Sequence, residues 1–268
     1  MDTICIKFDG IQVGRFLSDG RSEVNHCHDF YEIMYVTHGS GKYIVEGREF
    51  RLGTRAIMLV RPLAHHYVHS SDSNSYESYV LRFSRAALSV ESLSMLDSLI
   101  SEEENGRYFA PEVVSDLLIS SFERFESSAN LPMSEMQAYA RALLSEIIIL
   151  LSAASGEKMT FSDDELGARV IRYLNSNIEK NVSLERLAKR FFVSKYHLCR
   201  AFKKYSGISV HSYINQKRIM YAKQLITSGE TAQSAAYRVG FGDYSAFYRA
   251  YVKIVGKSPR AEQMKEES

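Results

Sequence analysis

VSKYHLCRAFKKYSGIS, residues 193–209, and GDYSAFYRAYVKIVGKS, residues 242–258, are one helix pattern written twice. A shift of 49 lays Arg200 on Arg249, Ala201 on Ala250, Lys204 on Lys253, Gly207 on Gly256 and Ser209 on Ser258. Leu198 and Phe202 fall on Phe247 and Tyr251, so the positions that face a core stay apolar. Ser194 falls on Asp243, and both residue types cap the start of a helix by accepting from its first free N–H groups. A repeat with matching caps, core and final glycine predicts a repeated structural unit.

Each copy is preceded by a shorter helical pattern. Ser183 leads LERLAKRF, with apolar Leu184 and Leu187 and small Ala188. At a shift of 48, Thr231 leads Ala232, Ala235 and Ala236. Helix, short turn, capped helix is the helix-turn-helix plan, in which a small alanine lets two helices cross closely. Between the copies, residues 209–227 (SVHSYINQKRIMYAKQLIT) read as one helix of 19 residues. At 1.5 Å per residue it spans about 28 Å, close to the ~34 Å between successive major grooves on one DNA face.

Charge points the same way. The whole chain is nearly neutral at +1, but residues 1–168 carry a net −11 and residues 169–268 a net +12. A basic half carrying two helix-turn-helix units predicts double-stranded DNA as a partner. The second helix of each unit should enter the major groove. Its first two turns offer Lys195, Tyr196, His197, Cys199 and Arg200 in one copy, and Tyr244, Ser245, Ala246, Tyr248 and Arg249 in the other. Arg200 and Arg249 are the foremost base-reading candidates, with backbone phosphate the alternative for either, because an arginine on a guanine edge contributes ~1–3 kcal/mol of discrimination. Lys203, Lys204 and Lys253 lie further along and are expected on backbone phosphate.

These residues resemble the arabinose-regulator (AraC/XylS) family of bacterial transcription factors. The resemblance rests on SLERLAKRFFVSKYHLCRAFKKYSGIS and VGFGDYSAFYRAYVKIVGKSP, and covers about 100 residues from 165 onward. It implies sequence-specific DNA binding, usually to activate promoters, often under an N-terminal effector domain. Ala232 and Ala235 depart from the family pattern, where bulky aliphatics are usual, as do Glu262 and Gln263, where an aromatic and an arginine are usual.

The acidic half begins with strands: YEIMYV, KYIV, REFRL, AIMLV and SYVLRF alternate or are β-rich, with turns expected at Gly39-Ser40-Gly41 and Gly47-Arg48. That predicts an antiparallel barrel or sandwich. Pro111 and Pro132 suit the first turns of two helices. In the second, about 132–154, Met136, Ala140, Leu143, Ile147 and Leu150 form a stripe widened by Leu144, Ile148 and Leu151; it can pack on its own barrel or pair with a second copy, and its width favours a homodimer seam. A polar stretch from Ser155 to Asp164 reads as a linker. The longest apolar run, IIILL at 147–151, is too short to span a bilayer, and the N-terminus lacks the regions of a signal peptide. Cys5, Cys27 and Cys199 are scattered, as in reduced cytoplasmic proteins.

Gly20-x5-His26-x-His28-x3-Glu32-x6-Gly39 resembles the first motif of the cupin barrel. In metal-binding cupins, two histidines and a carboxylate join a later histidine around a metal. The second motif is poorer: Gly53 and Pro62 are too far apart, and His65 and His66 compete for one later place. On strands, His26, His28 and Glu32 have even spacing and can share one interior. Such a set serves a metal, an effector pocket or a buried hydrogen-bond network; effector domains of the regulator family often keep it without metal. The expected pocket is His26, His28, Glu32, Tyr43, His65 and His66, with no cofactor, and with Tyr31, Tyr35, Tyr43 and Tyr67 able to stack on a sugar or ring.

The sequence therefore predicts a multi-domain α+β protein, cytoplasmic and not an enzyme. A cupin-like antiparallel β-barrel with flanking helices (1–160) would bind a small-molecule effector, such as a sugar, and dimerise. An all-α double helix-turn-helix domain (165–268) would bind promoter DNA, with RNA polymerase as a further partner and no membrane. The competing readings are a cupin metalloenzyme fused to a DNA-binding domain, and an effector-independent regulator whose barrel only dimerises.

Overall fold

The computed structural model describes residues 2–8, 10–18, 24–69, 76–101, 104–128, 130–160, 165–180 and 182–263. The chain packs as two compact units, Met1–Val24 with Phe30–Thr160, and Asn25–Asp29 with Phe161–Ser268.

The first unit is antiparallel throughout. Its strands are β1 (Asp2–Phe8), β2 (Ile11–Leu17), β3 (Tyr31–Val45), β4 (Arg48–Gly53), β5 (Ile57–Val60), β6 (His66–His69), β7 (Tyr76–Phe83), β8 (Gly106–Phe109) and β9 (Glu157–Lys158). One sheet runs β1-β2-β7-β3-β5-β8-β9, while β4 and β6 pair with the far end of β3. The expected turn at Gly39-Ser40-Gly41 is not a turn. Tyr31 to Gly39 pairs with β7, and Ser40 to Val45 pairs with β4, in one continuous strand. A register shift between Val36 and His38, followed by Gly39 at φ 91°, bends the strand so that it passes from one sheet into the next. The turn at Gly47 is real. Glu46 (φ 48°) and Gly47 (φ 84°) are both left-handed, as a two-residue hairpin loop requires.

Strand parity divides the core in two. Ile33, Tyr35, Ile57, Leu59, Tyr79, Leu81 and Phe83 pack outward against three helices, α1 (Val90–Leu99), α2 (Asp116–Ser128) and α3 (Met133–Ala153). Met34, Val36, Met58, Val60 and Val80 point the other way, onto Tyr43, Phe50, Leu52 and Val68 inside the barrel. This explains why AIMLV is an unbroken apolar run, because it is covered on both faces.

Pro132 stands at the N-cap of α3, while Pro111 opens only a single 3-10 turn, Pro111–Val113. The next helix, α2, starts at Asp116, where the Ser115 hydroxyl accepts from the Leu118 N–H at 3.2 Å. The stripe read as a dimer seam is already covered. Met136, Ala140, Leu143, Leu144, Ile147, Ile148 and Leu151 are all buried within the first unit. At 21 residues α3 is long and apolar enough to cross a membrane by length and composition, but it packs as a core helix here. The expected linker is also partly structured. Lys158 pairs with Arg107, Met159 is buried against the barrel core, and residues 161–164 lie outside the described residues.

The second unit is helical: α4 (Leu166–Asn175), α5 (Leu184–Arg190), α6 (Lys195–Ser206), α7 (Val210–Thr227), α8 (Ala232–Arg238), α9 (Tyr244–Val255) and α10 (Pro259–Gln263). The predicted caps form. Ser183 accepts from the Arg186 N–H, Ser194 from His197 and Thr231 from Ser234. Asp243 accepts from both Ser245 and Ala246. Gly207 and Gly256 end α6 and α9 at φ 78° and 81°, the left-handed cap that glycine adopts without a Cβ clash.

Candidate nucleic-acid interface and ligand-domain site

In each helix-turn-helix the second helix lies on a buried core and shows its opposite side to solvent. Leu198 and Phe202 of α6, and Phe247 and Tyr251 of α9, are buried. Lys195, Tyr196, His197, Arg200, Lys203 and Lys204 are exposed on α6. Ser245, Tyr248, Arg249 and Lys253 are exposed on α9. Three candidates, Cys199, Tyr244 and Ala246, are half-buried and less available than the pattern suggested. Cys199 is half-buried against the core that holds Leu187, Leu198 and Phe202 in the second unit. Tyr244 is half-buried, with its ring 5.7 Å from that of Phe247. Lys195 ion-pairs with Glu185 on α5 at 2.8 Å, which raises its pKa. That pair is exposed, so DNA phosphate can displace it at small cost.

An arginine that ties two loops of the second unit together was not among the sequence candidates. Arg218 of α7 donates to three backbone carbonyls, Ile178 at 2.8 Å, Gly240 at 2.9 Å and Lys180 at 2.6 Å. It thereby ties the loop after α4 to the turn between α8 and α9. Burial holds its pKa below the usual arginine value. Gly240 must stay glycine at that turn, since a Cβ there would lie 2.5 Å from the Glu179 carbonyl oxygen.

The HxHxxxE stretch does not form one strand. His26 is a single bridge residue, His28 is irregular and the chain bends at Asp29–Phe30 before β3 begins. His26 and His28 belong to the second unit and Glu32 to the first, so neither unit alone assembles the three-ligand set. Within the second unit, the Asn25 amide donates to the Ser206 carbonyl at 2.5 Å, and Lys223 pairs with Asp29 at 2.8 Å. The rings of His26 and His28 stand 5.9 Å apart. Gly20, which opens the motif, lies outside the described residues.

Inside the barrel three expected residues do meet. Glu32 is buried and accepts from Arg82 Nε at 2.8 Å and from the Tyr43 hydroxyl at 3.4 Å. His66 Nε2 stands 3.5 Å from the same carboxylate, and its Nδ1 lies 2.9 Å from the Ala64 carbonyl. The Tyr43 and His66 rings stack at 5.9 Å. His65 is also buried, and its backbone N–H donates to the buried Glu46 carboxylate at 3.1 Å. Arg82 was missed in the sequence, although a lone arginine in the apolar strand SYVLRF was a signal. It sits directly across from Glu32 in the register.

Tyr31 and Tyr35 face the helices, stacked on Phe83 at 5.3 Å and on Tyr79 at 6.2 Å. At the barrel end beside α1, a cleft of about 440 Å³ is lined by Tyr31, Arg61, Arg85, Asp97, Ile100 and Ser101. Arg85 holds Asp97 through two bonds of 2.5 and 2.8 Å there, and Asp97 and the Tyr31 hydroxyl raise its pKa.

Two family models match the chain. Residues 17–99 match an AraC-like ligand-binding domain, and residues 187–264 match a helix-turn-helix domain. The HTH-type transcriptional activator RhaS of Citrobacter koseri is 25% identical over 240 residues, covering 88% of this chain and 85% of the relative. RhaS of Klebsiella pneumoniae is 25% identical over 241 residues, covering 88% and 85%. Among solved structures, ToxT from Vibrio cholerae superposes with a TM-score of 0.42 at 14% identity, covering 95% of this chain and 97% of that one. With a ligand-binding module in the strand-rich half and a helix-turn-helix module in the basic half, the chain belongs to the AraC family of regulators.

Proposed function

We propose that this protein is a cytoplasmic transcriptional activator whose DNA affinity is set by a small polar molecule, such as a sugar, bound in the N-terminal domain. The observation that carries the reading is the pair of capped helices, each lifting one exposed arginine, Arg200 or Arg249, from an equivalent position. Domains of about 1–160 and 165–268 divide the work, the first sensing and the second reading. Base contacts come from the first turns of α6 and α9, and Lys203, Lys204 and Lys253 hold phosphates. RNA polymerase is the partner that an activator bound at a promoter must reach.

On the sensing side, Glu32, Arg82, Tyr43 and His66 supply a buried acceptor, a charged donor, a hydroxyl and an imidazole around one point. A polyol can exchange hydrogen bonds with such a set without introducing charge. The test combines two measurements on the full chain: selection of bound duplexes from random DNA, and thermal unfolding across a panel of sugars and other small polar compounds. Enrichment of a sequence and a rise in melting temperature with one compound class support the reading. A chain that enriches no sequence is no DNA-reading regulator, and one whose DNA binding responds to no compound is a constitutive one.

A further inference from the structure

The turns of the two helix-turn-helix units are built alike but filled differently. After α5, the Phe191 N–H donates to the Leu187 carbonyl and the Val193 N–H to the Ala188 carbonyl, each at 3.0 Å. After α8, Val239 and Phe241 donate to Ala235 and Ala236, also at 3.0 Å. The residue at the centre of each turn is left-handed, Gly240 at φ 89° and Phe192 at φ 55°. Glycine takes that conformation freely, whereas a bulky side chain there is strained. The strain brings no packing in return, because Phe192 is 93% exposed while its neighbours Phe191 and Val193 pack on the core.

The ring stands two residues ahead of Ser194, the cap of the reading helix, and the exposed Tyr196 follows on the first turn. Lys189, Arg190 and Lys195 around it are exposed cations. Two rings among cations suit a polyanion better than an apolar protein surface, which calls for a larger contiguous apolar patch. In the major groove, where the start of this helix enters, the apolar group available to a ring is the thymine C5-methyl.

We propose that Phe192 is a specificity-determining residue whose ring contacts a thymine methyl in the half-site read by the first helix-turn-helix unit. This rests on the DNA-binding function proposed above. Phe192 then gives the first unit a contact that the second, with Gly240, lacks.

The test uses the full chain and a duplex selected from random sequence. Each thymine of that duplex is replaced singly by deoxyuracil, which removes only the methyl. The expected result is one position where the change weakens wild-type binding about fourfold, the factor for one buried methyl-sized group, and leaves Phe192→Gly unaffected. Phe192→Gly itself should lose at least that factor on the selected duplex, keep its affinity for random DNA and melt no lower than wild type. Phe192→Asn, also tolerant of the left-handed backbone, should behave likewise and guards against a folding defect in one variant. Deoxyuracil effects identical in wild type and both variants would overturn the proposal. So would equal losses on selected and random DNA, which mark a backbone contact, or unchanged binding throughout. If selection enriches no sequence, the DNA-binding reading falls and this proposal with it.

Discussion

A single side chain decides whether each contact in this protein reads, holds or merely packs. Arg200→Ala is expected to weaken binding to a selected duplex by roughly 10- to 100-fold, the range for a lost guanine contact. Random DNA should be affected far less, and gel-shift titrations on both duplexes measure the difference. Equal losses would make Arg200 a phosphate contact. Glu32 poses the opposite case. Its carboxylate is buried against the partly exposed Arg82, so Arg82→Ala removes the charged donor and leaves the acceptor inside the barrel. A loss of about 2–3 kcal/mol in the first unit's stability is expected by chemical denaturation. Arg200 was legible because it repeats at a fixed shift along the chain. The Glu32–Arg82 pair was not, because its partners lie 50 residues apart and only strand register brings them across from each other.

Elements show a similar division between local and distant causes. The helices of the second unit were readable because Ser183, Ser194, Thr231 and Asp243 announce their own starts. β3 was misread as two strands because Gly39 and Gly41 look like a turn, and only pairing with β7 and then β4 reveals a bend instead. The sheet's outer face carries a pH consequence. Tyr79 is buried, donates to Glu126 at 2.6 Å, and has its pKa raised above the ordinary 10.0, first by burial and then by that bond. The folded state thus favours the neutral phenol. That stability is fully present below pH 10.0 and declines as pH rises past the unfolded value. The first unit should therefore lose melting temperature above that pH, and Tyr79→Phe should lessen the slope. In the second unit, Arg218→Ala leaves three carbonyls without their donor and should cost about 2–4 kcal/mol, read by thermal unfolding.

At the scale of the molecule, the two-module plan was visible in charge and repeat, while the partition of the HxHxxxE residues was not. His26 and His28 lie between Asn25 and Asp29, whose partners, Ser206 and Lys223, are far along the chain. The burial of the α3 stripe changes where a homodimer can form. Any dimer built on α3 has to use its outer side, where Met133 and Ile149 are 63% and 46% exposed. Ile149→Glu should then shift sedimentation from dimer to monomer, and an unchanged dimer would place the interface elsewhere. Finally, Arg218 does more than stabilise: it clamps the loop after α4 and the turn between α8 and α9 to one helix, α7, which lies between the two reading helices in the chain. One base pair inserted between half-sites rotates the second by about 34° around the duplex. A clamped pair is expected not to follow, so lengthening the spacer of a selected duplex by one base pair should weaken binding in gel-shift titrations even where no contacted base changes.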